Sequence, residues 1–279
     1  MKRILTVQDI SCVGKCSLTV ALPIISAMGT EASILPTAVL STHTMFSGFT
    51  FCDLTKEITP ICDHWKKENI SFDAIYTGYL GSFEQIELIE KMLADFTNTA
   101  TGKTFKFVDP CMADNGKLYP GFTQEFAFRM AKLAGKADLI VPNLTEASFM
   151  LGIPYKESGY DENYIKAILL KLAALGTKKV VLKGVSFNNK ELGIMSYDST
   201  TKQFSSYFHE KLSTSFHGTG DIYASVCLGA LMRGFTLNQA LKLAADFVVL
   251  SIKETVSHKD HNTYGVDFET VFPWLLKQL

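Results

Sequence analysis

Apolar and polar positions along this chain switch repeatedly between two periods. Short runs rich in β-branched and aromatic residues alternate with longer stretches whose apolar residues recur three or four apart. Arg3–Val7 reads as a first strand, and the small, aliphatic stretch Cys16–Met28 as a helix ending near Gly29. An extended element is predicted over Glu31–Leu40, a helix over Ile58–Asn69 and a strand over Ala74–Gly78. In Phe83–Phe96 an apolar face lies opposite Glu84, Glu87, Glu90, Lys91 and Asp95, the signature of an amphipathic helix. The pattern then gives a strand over Thr104–Val108, a helix around Thr123–Ala134 and a strand over Leu139–Pro142. Helices over Asn143–Leu151 and Tyr164–Leu175 precede the very apolar strand Lys179–Lys183. Leu192–Tyr197 and Gln203–Phe208 read as a hairpin, Asp221–Arg233 and Leu237–Glu254 as helices, and Phe268–Leu276 as a short final helix.

Strands separated by crossover helices predict an α/β fold with a mainly parallel sheet covered on both faces. In such folds ligands sit at the carboxyl ends of the strands. No linker, low-complexity tract or internal repeat divides the 279 residues, so the sequence predicts one domain over residues 1–279. A hydrophobic share of 47% permits a substantial core. The formal net charge of −1, without a lysine or arginine cluster, gives no footprint for nucleic acid or an anionic membrane. No apolar run approaches the roughly 20 residues needed to span a bilayer. Gln8 and Asp9 interrupt the N-terminal run too early for a signal peptide, so the chain reads as cytoplasmic. Its six cysteines are scattered without a Cys-x-x-Cys pair and read as reduced thiols. Cys12 and Cys16 find no second pair to complete a zinc site.

Candidate chemistry falls where the strands end. Gly218-Thr219-Gly220-Asp221 opens a helix of small apolar residues and would offer bare N–H groups to an anion, with a carboxylate alongside. Phosphoryl transfer to a hydroxyl needs that pairing; a plain glycine turn with an acid in the first helical turn is the other reading. Asp109 ends a strand, and Pro110 forces an extended exit into a polar loop, long enough for a lid, that runs through Gly121. Asn143 and Glu146 have capping-box spacing, and Glu146 would lie near Asp109 if their strands are neighbours. Two such carboxylates could also hold magnesium through water. Lys183, before Gly184, ends an apolar strand; a buried ammonium there needs a partner such as a nucleotide phosphate, unless it snorkels to the surface. The hydroxyls and imidazole of Ser41–Thr44 suit a small polar substrate, and Tyr79 could stack on a ring.

Taken together, Gln8-Asp9, Leu40-Ser41-Thr42-His43-Thr44, Thr77-Gly78-Tyr79-Leu80-Gly81-Ser82, Asp109-Pro110, Asn143-x-x-Glu146, Lys183-Gly184 and Gly218-Thr219-Gly220-Asp221 span essentially the whole chain. In this pattern the chain resembles the ribokinase superfamily and, within it, the pyridoxal kinases. The resemblance implies a ribokinase-like three-layer α/β/α sandwich that phosphorylates the 5′-hydroxymethyl group of pyridoxal, with pyridoxine and pyridoxamine as further substrates. It implies ATP as co-substrate, Mg²⁺, a monovalent cation as a further candidate, and a homodimer. Asp221 would be the base, and Gly218, Thr219 and Gly220 the anion hole. Asn143, Glu146, Lys183 and Gly184 would line the nucleotide, with Asp109 and Glu146 towards the metal. Asp9, Thr44 and Tyr79 would meet the ring. Asp9 departs from the family's usual serine. Cys111, in a lid that also departs from the usual pattern, is either packed or able to add reversibly to the substrate aldehyde. A hydroxymethylpyrimidine kinase, a dual-activity enzyme and a non-catalytic nucleotide- or vitamin-binding module are the alternatives.

Overall fold

The computed structural model describes residues 1–99, 102–214 and 216–279. In chain order it forms β1 (Arg3–Ser11), α1 (Leu18–Ala27), β2 (Glu31–Leu40), β3 (Phe51–Asp53), α2 (Thr55–Lys67), β4 (Ala74–Thr77) and α3 (Phe83–Asp95). The two-residue strands β5 (Asn98–Thr99) and β6 (Gly102–Lys103) lead to β7 (Phe105–Val108), and β8 (Ala113–Asp114) and β9 (Lys117–Leu118) to α4 (Gln124–Ala134). Next come β10 (Leu139–Ile140), α5 (Leu144–Leu151), α6 (Glu162–Ala173), β11 (Lys179–Val185), β12 (Glu191–Asp198) and β13 (Gln203–Glu210). The helices α7 (Thr219–Met232) and α8 (Leu237–Ser257) precede a 3₁₀ turn, Phe268–Val271, and α9 (Phe272–Lys277).

These elements gather into two compact units. The first holds Met1–Gly78, Asp95–Thr104 and Leu212–Leu279; the second holds Tyr79–Ala94 and Phe105–Lys211. In the first unit the strand order is β4-β1-β2-β3, with β1 parallel to both neighbours and the short β3 antiparallel to β2. Residues Ile4 to Asp9 are all buried, as expected of a parallel strand covered on both faces. Ile24 and Ile25 of α1, Met28 just after it, and Ala224 and Leu228 of α7 are all buried where the two helices pack together. Gly229 lets the two helices approach, since a Cβ there would lie 2.7 Å from the Met28 side chain. In the second unit the order is β13-β12-β11-β10-β7. Here β10 is parallel to β7 and β11, and β12 and β13 form the predicted hairpin. Phe107, Val108, Ile140, Val181, Phe126 and Leu169 fill its core, each worth roughly 1.5–3 kcal/mol when fully buried.

Several elements differ from the sequence expectation, among them the unpredicted short strands β3, β5 and β6 and an α2 that begins at Thr55. The first helix starts at Leu18 rather than Cys16 because Ser17 has φ 50°. The strand expected over Leu139–Pro142 shrinks to Leu139–Ile140: Pro142 has no N–H for the ladder, and only an isolated bridge from Asn143 to Lys183 continues the pairing. The sixth helix begins early, at Glu162, under an Asp161 cap that accepts the Tyr164 N–H at 2.9 Å. Within the loop expected to form a lid, β8 and β9 pair around Asn115 and Gly116, which both have positive φ as a tight hairpin turn requires. Among the described residues no helix is long and apolar enough to cross a membrane.

Candidate active site

The first unit carries the glycine loop. Gly218 caps α7 at φ 78°, and a Cβ on it would come within 1.9 Å of the Lys15 carbonyl oxygen. Glycine is therefore demanded twice, by conformation and by space. The first N–H groups of a helix have no intrahelical acceptor, which makes the start of α7 a place for an anion. Asp221 stands in that first turn, and its Oδ2 accepts the Ser17 N–H at 2.9 Å. The same serine donates its hydroxyl to Asp9 Oδ1 at 2.6 Å, and Ser11 Oγ reaches Asp9 Oδ2 at 3.4 Å.

Asp9 lies where the register between β1 and β2 shifts, facing the extra residue that β2 carries at Thr37 and Ala38. Burial pushes its carboxyl upward against the hydrogen bonds from Ser17 and Ser11. Its neighbour Gln8 explains Gly78: a Cβ on that glycine would sit 2.9 Å from the Gln8 side chain. Between the two acids, the Cys16 thiol is pushed up to about 12 by burial and by the charges of Asp221 and Asp9. Lys15 anchors the loop through Asp267 at 2.7 Å and Glu269 at 2.9 Å. Thr44 is exposed on a loop whose His43 ring lies 4.9 Å from that of His217, just ahead of Gly218.

The second unit holds the other acids. Because β7 and β10 pair, Asp109, directly after β7, lies close enough to Glu146, in the first turn of α5 beyond β10, for their charges to interact. Lys183 finds its partner inside the protein: its Nζ donates to Asp109 at 2.9 and 3.1 Å, and its side chain keeps only 15% exposure. Burial pulls this ammonium down, but the charges of Asp109 and Glu146 outweigh it and hold it protonated. Glu146 is pushed up to about 8, first by burial and then by Asp109, while Lys183 opposes. The capping box is present in full. Asn143 Oδ1 accepts the Glu146 N–H at 2.8 Å, and Glu146 Oε2 accepts the Asn143 N–H at 2.7 Å.

Three further bonds tie the hairpin to the first turn of α5. Met112 N–H donates to Glu146 Oε1 at 3.3 Å, Asn143 Nδ2 to the Ala113 carbonyl at 2.8 Å, and Gly116 N–H to Thr145 Oγ1 at 3.0 Å. Gly184, at φ 75°, is the extra residue of a bulge in the β11–β12 ladder. The Tyr79 ring lies 5.6 Å from that of Phe122, beyond the hairpin, and Cys111 is half-buried.

Within the first unit the structure thus joins Asp9 to Asp221 and the glycine loop. Within the second it joins Asp109, Asn143, Glu146 and Lys183. Sequence reasoning missed Ser17, whose serine looks like any other in a small-residue helix, and Lys15, whose acidic partners lie more than 250 residues away. Among the described residues no three His, Cys, Asp or Glu side chains cluster as a ready metal cage. The oxygens of Asp109 and Glu146 already accept from Lys183 and from backbone N–H groups. That donor set fits Mg²⁺, which keeps its waters and is shared with phosphates, better than a fully dehydrated ion.

Comparison with known proteins adds three findings. The profile of a family described as phosphomethylpyrimidine kinase matches residues 25–265. A pyridoxal kinase of Pasteurella multocida (strain Pm70) is 27% identical over 261 residues, covering 89% of this chain and 87% of its own. Among solved structures, a provisionally named phosphomethylpyrimidine kinase of Bacteroides thetaiotaomicron VPI-5482, in a form with pyridoxal, is 38% identical. It matches with a TM-score of 0.92 over 98% of this chain and 95% of that one. The pyridoxal kinase of Lactobacillus plantarum is 30% identical, with a TM-score of 0.90 over 100% of this chain and 98% of that one. The shared fold is α/β, with a large, mainly parallel central sheet and helices.

Proposed function

The chain belongs to the phosphomethylpyrimidine kinase family, and from that premise we propose that it transfers the γ-phosphoryl group of ATP to the 5′-hydroxymethyl group of pyridoxal. The observation that carries this reading is Asp221 in the first turn of α7, directly behind Gly218 and held by the Ser17 N–H. Phosphoryl transfer asks little covalent chemistry of a protein; it needs alignment, charge neutralisation and a base for the attacking hydroxyl. Asp221 takes the hydroxyl proton. The N–H groups of the Gly218-Thr219-Gly220 turn receive the charge that develops on the moving phosphoryl group. Asn143, Glu146, Lys183 and Gly184 serve the nucleotide, and Asp9, Thr44 and Tyr79 the pyridine ring and its substituents. Asp109 and Glu146 would hold Mg²⁺ through water, and when bound the ion neutralises the β- and γ-phosphates. The reading extends to one kinase domain over residues 1–279, acting in the cytoplasm as a homodimer, with a monovalent cation as a further candidate.

Pyridoxal is favoured by the bound ligand of the 38%-identical Bacteroides thetaiotaomicron structure. The family's description favours a second substrate, the hydroxymethylpyrimidine of thiamine synthesis, whose aromatic hydroxymethyl group asks for the same chemistry. Steady-state kinetics over pyridoxal, pyridoxine, pyridoxamine and hydroxymethylpyrimidine separates them. A clear preference for pyridoxal is expected, and a preference for the pyrimidine overturns it. Binding of ATP and pyridoxal with no product from either substrate class would leave a non-catalytic module. In the same assay Asp221→Ala should retain ATP binding while losing turnover by about two to four orders of magnitude; near-normal turnover removes Asp221 from the role of base.

A further inference from the structure

Ser17 stands at the start of α1 with φ 50° and ψ −131°. Those angles belong to the first central residue of a type II′ turn, where glycine is the residue without strain. A serine at a helix N-terminus ordinarily turns its hydroxyl back to accept an N–H one turn on. Ser17 makes no such bond. Its Oγ donates instead to Asp9 Oδ1 at 2.6 Å, and its N–H to Asp221 Oδ2 at 2.9 Å. Backbone strain and a forgone helix cap are two local costs without local return, and such costs gather at functional sites. Both donors of the residue end on carboxylates from different elements, β1 and α7.

We infer that Ser17 is a positioning residue, tethered to Asp9 by its hydroxyl so that its N–H fixes Asp221. This rests on the reading of Asp221 as the base. The tether makes the orientation of the base answer to Asp9, the residue assigned to the ring, so that one serine links substrate recognition to proton transfer. The hydrogen bond also favours the charged carboxylate that a base must present. Titratable and charged groups of this unit near Asp221 include the Cys16 thiol, which feels its charge, and Asp9 through the shared Ser17. Lys15, in its ion pairs with Asp267 and Glu269, sets its carbonyl against Gly218, and His217, in ring contact with His43, precedes that glycine.

Ser17→Gly isolates the effect, because glycine accepts the backbone angles and keeps the N–H while cutting the tether to Asp9. The relieved backbone strain offsets the lost bond to the buried Asp9, so the full-length variant should fold and melt close to the parent. Its kcat with pyridoxal should fall about tenfold or more, as small misplacements of a reacting group do. The acid limb of its kcat/KM profile should move up by about half a pH unit or more, because the N–H donor to the carboxylate is no longer held in place. Both changes are required: a kcat within twofold of the parent, or a fall in kcat with an unmoved acid limb, overturns the inference. Ser17→Ala, which keeps the strain and loses the same hydroxyl, is measured alongside and must show the same two changes, so a poorly folding glycine variant leaves the question answerable. Asp221→Ala separates the levels. If it remains active, the base assignment fails; if it is inactive while both Ser17 variants behave like the parent, only the tether fails.

Discussion

Gly218 is held by two constraints that a substitution cannot satisfy together. Its φ of 78° disfavours any side chain, and the Lys15 carbonyl leaves 1.9 Å where a Cβ would stand. The obstacle is backbone, fixed in turn by the Lys15 ion pairs to Asp267 and Glu269, so it cannot swing aside. Gly218→Ala should therefore lose about 1–3 kcal/mol for the conformation alone, and more for the displaced loop, together with most of the turnover. Urea denaturation with parallel kinase assays checks both; an unchanged midpoint would show that the loop yields freely. At this scale the sequence was informative about residues that carry their own signal. Two glycines around a threonine, an acid after them and a lysine at a strand end all announce themselves. Ser17 carries none, because positive φ at a serine leaves no trace in spacing or composition. Lys183 was visible, but its partner was not: the choice of Asp109 depends on which strands become neighbours.

α5 shows what a short helix can do when its start is well made. Only eight residues long, it is closed by the Asn143–Glu146 capping box and ended by Gly152 in the left-handed region. The hairpin of β8 and β9 is bonded to its first turn through Glu146, Asn143 and Thr145. Asn143→Ala removes both the cap acceptor and the bond to Ala113, and should cost about 1–2 kcal/mol. Asn143→Ser keeps a cap acceptor, loses the Nδ2 donor without setting an oxygen against the Ala113 carbonyl, and should cost less. Urea midpoints of the two variants test the order, and equal losses would mean that the cap itself contributes little. The box was legible from spacing. So, in principle, was the hairpin: Asn115-Gly116 is a strong two-residue turn signal, but the polar residues around it read as a loose lid. β3 gave no usable pattern, because three exposed residues have no alternation to display.

For the molecule as a whole, the buried group of Asp109, Glu146 and Lys183 sets a pH dependence with a definite sign. Glu146 titrates near its ordinary 4.5 in the unfolded chain and at about 8 in the folded one. Between those values the folded protein holds a proton that the unfolded chain has released, so stability declines as pH rises through the window. Burial also raises Asp109, which acts in the same direction. The fall should be on the order of a few kcal/mol between pH 5 and 8. Glu146→Gln should start lower at pH 5, having lost an acceptor, and follow a flatter course. Denaturant titrations at several pH values compare the two slopes, and parallel curves would remove Glu146 as their source. The α/β class was readable because each strand and helix declares its period locally. The division into two units was not, because it depends on which distant segments pack together.

The first unit draws its parts from both ends of the chain, and this orders events while the protein is being made. Ser17 and Asp221 are separated by 204 residues, with the whole second unit encoded between them. On the ribosome β1, α1, β2 and β4 emerge early, yet the helix that packs against α1 is among the last segments to appear. The hairpin of β12 and β13, by contrast, closes over a few residues and lies within a unit already synthesised. The nascent chain therefore carries an open apolar face on α1, and a Ser17 N–H without its Asp221 acceptor, through most of its synthesis. That interval is when it most needs shelter from aggregation, and its proposed base reaches Ser17 only near the end.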